Sequence, residues 1–116
     1  MHEMSIIQSV VDIIGQEMSA HGVTKLHKVV LRHGAMTNIM PEALTFAWEA
    51  LTRDTPLEGA ELVAEQIPVR LRCFGCKQEF EPEEKGIIVP CPACEETLGH
   101  EILSGRELYI ERIEAE

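Results

Sequence analysis

Apolar positions near the start of the chain recur at the spacing of an amphipathic helix. The stripe consists of Ile7, Val10, Val11, Ile14 and Met18, and it predicts a helix over residues 4–20. Gly22 suits the left-handed backbone conformation that commonly ends a helix, so we expect it to be the C-terminal cap. The segment from Leu26 to Arg32 is rich in Val and Leu and predicts a strand that ends before Gly34.

A second helix is predicted to begin at Pro41, where the missing N–H of proline is not needed. Asp54-Thr55-Pro56 should end it. The side chains expected on its buried face are Leu44, Ala47, Trp48 and Leu51. Residues 60–72 predict an extended segment that Pro68 should interrupt as an edge strand or a bulge. A last short strand is expected over residues 108–113.

This order of elements predicts the α+β class. The simplest assembly is a small three-stranded sheet with two helices on one face and a cysteine-rich module inserted before the last strand. The predicted boundaries are residues 1–72 and 105–116 for the larger α+β domain, and residues 73–104 for the inserted zinc-ribbon or zinc-knuckle domain.

The composition narrows the partners and the compartment. The chain has 116 residues and 20 acidic against 10 basic side chains, a formal net charge of −10. Nucleic acid and anionic membranes are therefore poor partners, because neutralising phosphates requires clustered Lys and Arg. The first 24 residues contain no Lys or Arg, and polar residues interrupt the first apolar stretch. We therefore expect neither a signal peptide nor a membrane span, and a cytoplasmic protein whose cysteines bind metal rather than form disulfides.

Two C-x2-C pairs, Cys73/Cys76 and Cys91/Cys94, are separated by fourteen residues. Each pair lets two thiolates converge on one ion, and two pairs supply the tetrahedral sulfur shell that Zn²⁺ favours. Iron of the rubredoxin type is the chemical competitor, and two disulfides or four unrelated core cysteines are the alternatives without a metal. Because protein would fill all four positions, this zinc is expected to be structural and to leave no open position for a catalytic water.

The first three residues form a second candidate site. If Met1 is retained, its free amine, the backbone nitrogen of His2 and the His2 imidazole can chelate one metal in fused rings. Either the amide nitrogen or the carboxylate of Glu3 could complete the site. Planar, nitrogen-rich coordination favours Ni(II) or Cu(II) over Zn(II) or Mg(II). The alternative is that His2 is an ordinary second residue, and the residues alone leave that open.

The remaining histidines give weaker evidence of metal binding. His21 is expected at a helix end, and parity places His27 and His33 on one face of a strand. His100 follows the cysteine module. The roles of His33, His100 and Glu42 stay open, and none of the three is assigned as a metal ligand.

With these motifs in hand, the chain resembles the HypA/HybF family of hydrogenase nickel-incorporation proteins. The resemblance runs nearly from end to end. It is carried by the segments MHEMSI, MPEALTFAWEAL, LEGAELVAE, CFGC, CPAC and SGRELYIERIE.

The resemblance implies a nickel metallochaperone that is not an enzyme. Its transferable Ni²⁺ would be held by His2, with the Met1 amine and Glu3 beside it. Its structural Zn²⁺ would be held by Cys73, Cys76, Cys91 and Cys94. On the same basis residues 1–72 and 105–116 become the nickel-binding domain.

The partners it implies are a HypB-type nickel GTPase and the precursor of the [NiFe] hydrogenase large subunit, with urease accessory proteins in some organisms. Which hydrogenase is served, whether urease is served and the oligomeric state stay open.

Two departures from the family pattern limit which of the family's site residues can be assigned to this chain. Some members have a histidine just after each cysteine pair, where this chain has Lys77-Gln78 and Glu95-Glu96. A zinc site that responds to pH through such histidines is therefore not expected. Some members also have an acidic residue near the start of the second helix, where Glu42 is only a candidate.

The competing hypothesis is a zinc-ribbon adaptor that binds a protein or a nucleic acid and carries no transferable metal. An enzyme is a third hypothesis. The sequence contains no G-x-S-x-G, P-loop or H-E-x-x-H motif to support it.

Overall fold

The computed structural model describes residues 2–83 and 86–116. Its two helices are α1 (Glu3–His21) and α2 (Pro41–Thr52), and a short 3₁₀ turn covers Ala35–Thr37. The strands are β1 (Leu26–Gly34), β2 (Glu61–Ile67), β3 (Arg70–Arg72), β4 (Glu79–Phe80), β5 (Glu101–Ser104) and β6 (Leu108–Ala115). The predicted α+β class, with two helices and small sheets, is confirmed.

The chain divides into two compact units. The first, which we call the helical unit, contains Met1–Arg32, Ile39–Glu65 and Tyr109–Glu116. The second, the cysteine unit, contains His33–Asn38 and Gln66–Leu108. The domain boundaries inferred from the sequence stay a prediction.

Both ends of α1 are capped by named groups. His2 is the N-cap, and its Nδ1 accepts a hydrogen bond from the Met4 N–H at 3.2 Å. At the other end Gly22 has φ of 67°, and its N–H reaches the carbonyl oxygens of Met18 and Ser19. The prediction of Gly22 as the cap is confirmed, because a side chain would be strained at this backbone angle.

The helix α2 begins at Pro41 as predicted and packs against α1. Three of its predicted core residues, Leu44, Ala47 and Trp48, are buried, but Thr52 takes the place expected for Leu51, which is only half-buried. Thr52 can be buried because its hydroxyl donates to the Trp48 carbonyl at 2.7 Å, which satisfies the polar group. Trp48 Nε1 in turn donates to the Ala60 carbonyl at 2.9 Å.

The first sheet has the order β2-β1-β6. The central strand β1 continues beyond the predicted end to Gly34, because the Gly34 N–H donates to the Glu107 carbonyl at 2.8 Å and extends the pairing. The extended segment breaks around Pro68 as predicted. Its two halves, β2 and β3, belong to different sheets.

The second sheet has the order β4-β3-β5 and lies in the cysteine unit. Leu71 on β3 pairs with Phe80 on β4 and with Ile102 on β5. The buried core of this unit contains Leu71, Cys73, Phe80, Val89 and Cys91. Sequence analysis missed β4 and β5, because strands of two and four residues are too short to show a periodic pattern.

Candidate metal centres

The two C-x2-C pairs fold into the same local turn. The Cys73 N–H donates to Gln78 O at 2.8 Å and the Lys77 N–H donates to Cys73 O at 3.0 Å. The Cys91 N–H donates to Glu96 O and the Glu95 N–H to Cys91 O, both at 2.9 Å. Lys77 and Glu95, the residues just after each pair, both have φ of 67°. The sequence therefore folds into two equivalent knuckles, each of which points two sulfurs in one direction.

The knuckles bring all four sulfurs together. The Sγ atoms of Cys73, Cys76, Cys91 and Cys94 lie within 4.8 Å of one another. The Cys73–Cys94 distance is 3.4 Å and the Cys76–Cys91 distance is 3.7 Å. In a tetrahedron with Zn–S bonds of about 2.3 Å, neighbouring sulfurs would be about 3.8 Å apart. The donor set therefore fits a tetrahedral thiolate-bound ion such as Zn²⁺.

Electrostatics within the cluster already favours one thiolate. The backbone N–H of Cys76 lowers the pKa of Cys73 to about 6, with a further hydrogen bond from Cys94. The Glu96 N–H lowers the pKa of Cys94, but the facing sulfur of Cys73 and burial outweigh it and raise the pKa overall. One thiol thus donates to its neighbouring thiolate. A divalent ion at the centre would replace that shared proton and favour ionisation of the whole set.

The centre is continuous with the hydrophobic core of the cysteine unit. Cys73 and Cys91 are buried in that core, whereas Cys76 and Cys94 are exposed. Next to Cys73, Arg72 donates hydrogen bonds to Glu101 at 2.6 Å and to Glu79 at 3.3 Å, joining β3 to both neighbouring strands. Each first cysteine of a pair is therefore both a candidate ligand and a core residue, and the spacing alone did not show its burial.

His100 is held inside the cysteine unit. Its Nε2 lies 2.9 Å from the Val89 carbonyl oxygen, and its ring meets Phe80 edge-on with a centroid distance of 5.3 Å. One ring nitrogen is thus already in a hydrogen bond. These contacts describe a half-buried histidine packed against the core residue Phe80, and no grouping of metal ligands found among residues 2–83 and 86–116 contains it.

The N-terminal donors are placed differently. His2 is exposed at the start of α1, where its Nδ1 accepts the Met4 N–H, and Glu3 is half-buried in the first turn. Met1 lies outside the described residues, so its amine has no position here. A chelate through the His2 backbone nitrogen would use Nδ1 and not Nε2, because only Nδ1 can close a six-membered ring. Metal binding at this site must therefore displace the capping hydrogen bond.

The other candidate residues belong to no group of possible metal ligands found among the described residues. Glu42 is exposed in the first turn of α2. His33 is fully buried, and burial lowers its pKa below the ordinary value. Neither of its ring nitrogens has a hydrogen-bond partner within the part of the chain that the structure describes. His21 and His27 are surface residues beside Glu17 and Glu116 at 3.4 and 3.2 Å.

Comparison with known families decides the assignment. The family model for "Hydrogenase/urease nickel incorporation, metallochaperone, hypA" matches residues 1–115. The chain belongs to the HypA family. A hydrogenase maturation factor HypA from Solidesulfovibrio magneticus is 50% identical over 117 residues, and one from Lawsonia intracellularis is 44% identical over 118 residues. Each comparison covers all of both chains.

Solved structures of HypA proteins support the same fold. The solution structure of the Ni metallochaperone HypA from Helicobacter pylori covers 99% of this chain and 97% of its own, with a TM-score of 0.65 and 21% identity. Among the described residues, no helix has the length and apolar character to cross a membrane. The family is described as that of hydrogenase and urease nickel-incorporation metallochaperones, and the two relatives named above are hydrogenase maturation factors.

Proposed function

We propose that this HypA-family protein binds Ni²⁺ through His2, with the Met1 amine and Glu3, and delivers it for maturation of [NiFe] hydrogenase. A structural Zn²⁺ is held by Cys73, Cys76, Cys91 and Cys94. The observation that carries the proposal is the family match over residues 1–115, which includes both donor sets. Residues 1–72 and 105–116 form the nickel-binding domain and residues 73–104 the zinc-binding domain.

The two donor sets suit separate roles. Four thiolates within 4.8 Å of one another saturate a tetrahedral ion, two of them from inside a core, so that ion exchanges slowly and stabilises the fold. His2 is exposed at a chain end, and its nitrogen ligands are those that Ni²⁺ accepts in planar geometry. The accessible site is therefore the one that loads and unloads.

The cap on α1 contributes to release. Nickel binding through His2 Nδ1 breaks the bond to the Met4 N–H, which costs about 0.5–2 kcal/mol by analogy with other N-caps. That cost weakens nickel binding by roughly two- to thirtyfold. When a partner takes the ion, the Met4 N–H again donates to His2 Nδ1 and the N-cap of the helix forms again.

The partners follow from the family role. The nickel would be exchanged with a HypB-type GTPase and then with the hydrogenase large-subunit precursor in the cytoplasm, with urease accessory proteins as further acceptors. Ligand exchange breaks and forms only bonds to the metal, so we assign this chain no catalytic residue. Because the net charge is −10, we also propose no nucleic-acid or membrane partner.

The test is metal analysis and a nickel titration of untagged, zinc-loaded protein that begins at Met1. His2→Ala should lose tight nickel binding and keep its zinc. His21→Ala is the matched control, since it removes another exposed histidine from the opposite end of α1. Unchanged nickel affinity in His2→Ala would refute the N-terminal site and favour a zinc-ribbon adaptor.

A further inference from the structure

The helix α2 presents a large apolar side chain to solvent. Phe46 is 70% exposed, although Ala47 and Trp48 beside it are buried, and Met40 just before the helix is 59% exposed. Single exposed apolar residues are common on protein surfaces and mean little alone. Phe46 differs because it borders a groove.

The groove lies within the helical unit and has a volume of about 450 Å³. It is lined by Pro41, Glu42, Thr45, Phe46, Glu49 and Ala64. Phe46, Pro41 and Ala64 provide apolar surface, and the two glutamates provide negative charge. No Lys or Arg is among the described residues that line it. The groove therefore suits an apolar side chain accompanied by positive charge.

The strand beside the groove offers a second means of binding. Ala64 is the central residue of β2, which is an end strand because the sheet order is β2-β1-β6. Among the described residues β1 is its only strand neighbour, so the outer edge of β2 presents backbone N–H and C=O groups for pairing. An extended peptide can add to such an edge, with side-chain pockets supplying the specificity.

We propose that the groove and the outer edge of β2, together called the α2–β2 groove, bind an extended basic segment of a partner protein. The segment pairs with β2 and places one apolar side chain against Phe46 and Ala64. Lysine or arginine residues at the next-but-one positions reach Glu42 and Glu49, because alternate side chains of a strand share one face.

A titration followed by NMR tests the proposal with the full, zinc-loaded chain. The probe is a short threonine peptide with a central valine and a lysine at the next-but-one position on each side. We expect amide shifts centred on Ala64 and on the exposed face of α2 around Phe46. A peptide with glutamates in place of the lysines should bind at least about tenfold more weakly, because its charge repels the glutamates of the groove.

Matched variants distinguish a specific docking surface from non-specific hydrophobic binding. Phe46→Ser should weaken peptide binding at least about tenfold, as expected for loss of an aromatic anchor. Phe74→Ser should leave binding unchanged, because Phe74 is equally exposed, at 67%, but belongs to the cysteine unit. Glu49→Lys should weaken binding, whereas Glu111→Lys on β6 should not.

Several results would overturn the proposal. They are no binding of the lysine peptide, equal binding of the glutamate peptide, equal effects of the two phenylalanine variants, or shifts centred outside the α2–β2 groove. Spectra of the free variants verify that each remains folded, which is expected because both phenylalanines are largely exposed.

Discussion

Gly34 and Gly105 approach so closely that a Cβ atom added to Gly34 would overlap the carbonyl group of Gly105. Two backbone hydrogen bonds also join the chain segments that contain these glycines. The Gly34 N–H donates to Glu107 O and the Met36 N–H donates to Gly105 O, each at 2.8 Å. Gly105 itself has φ of 119°, a conformation that other residues rarely adopt. This junction therefore requires glycine on both sides.

We predict that Gly34→Ala destabilises the protein by about 3 kcal/mol, because the clashing group is backbone and cannot rotate away. Urea unfolding of zinc-loaded protein measures the change. Gly15→Ala is the control, since nothing lies within 4 Å of a Cβ at that position in α1. It should stabilise the protein by about 0.5–1 kcal/mol. Equal effects of the two substitutions would refute the close approach.

Two substitutions separate the observed capping role of His2 from its proposed role as a nickel ligand. His2→Ala removes the N-cap and should lower the free energy of unfolding by about 0.5–1 kcal/mol as well as abolish tight nickel binding. His2→Asp should keep the stability, because aspartate is a good N-cap, yet also lose nickel. Thermal unfolding without nickel and a nickel titration provide the two readouts. A His2→Ala variant as stable as the parent would show that the cap contributes nothing.

Removal of zinc should unfold the core of the cysteine unit. Cys73 and Cys91 are both ligands in the proposed site and core residues, so losing the ion leaves buried thiolates without a counter-charge. We expect Cys73→Ser to lose the zinc and the protection of the Leu71 amide against hydrogen exchange. Phe74→Ala changes an exposed residue of the same knuckle and should retain both. Persistent Leu71 protection after zinc loss would contradict this coupling.

Burial of His33 predicts a dependence of stability on pH. Burial lowers the folded pKa of His33, so below about pH 6.5 the unfolded chain binds this proton more readily than the folded chain. Its contribution is therefore fully present above pH 7 and is lost as the pH falls through 6.5 toward the folded pKa.

The slope from this group cannot exceed about 1.4 kcal/mol per pH unit. His33→Leu should flatten the stability curve in that window. Urea unfolding at a series of pH values provides the comparison. A His33→Leu curve as steep as that of the parent would assign the acid sensitivity to other groups.

Local features of the fold followed from local chemistry. The apolar stripe of α1, the proline that begins α2 and the glycine that ends α1 each act over a few residues, and all three predictions are confirmed. Thr52 was not predicted as a core residue, because its burial depends on a hydrogen bond that exists only once the helix has formed.

The features of the candidate sites likewise divide into those that the sequence predicted and those that it did not. The spacing of the cysteines predicted a four-sulfur cluster, since a C-x2-C turn brings two sulfurs together within one short loop. It could not show that Cys73 and Cys91 are also core residues, because burial depends on the strands that pair around them. The sequence also did not show that His2 Nδ1 accepts a hydrogen bond from the Met4 N–H, or that Phe46 borders a groove beside an end strand.

The sequence by itself thus determined the helices, the class of fold, the family and the clustering of the four cysteines, because periodicity, caps and cysteine spacing are encoded within short segments. Only the tertiary structure decided that the two halves of the extended segment belong to different sheets, which strand forms an edge and why Gly34 must lack a side chain. Those properties arise from contacts between residues such as Gly34 and Gly105 that are distant along the chain, and no local pattern records such contacts.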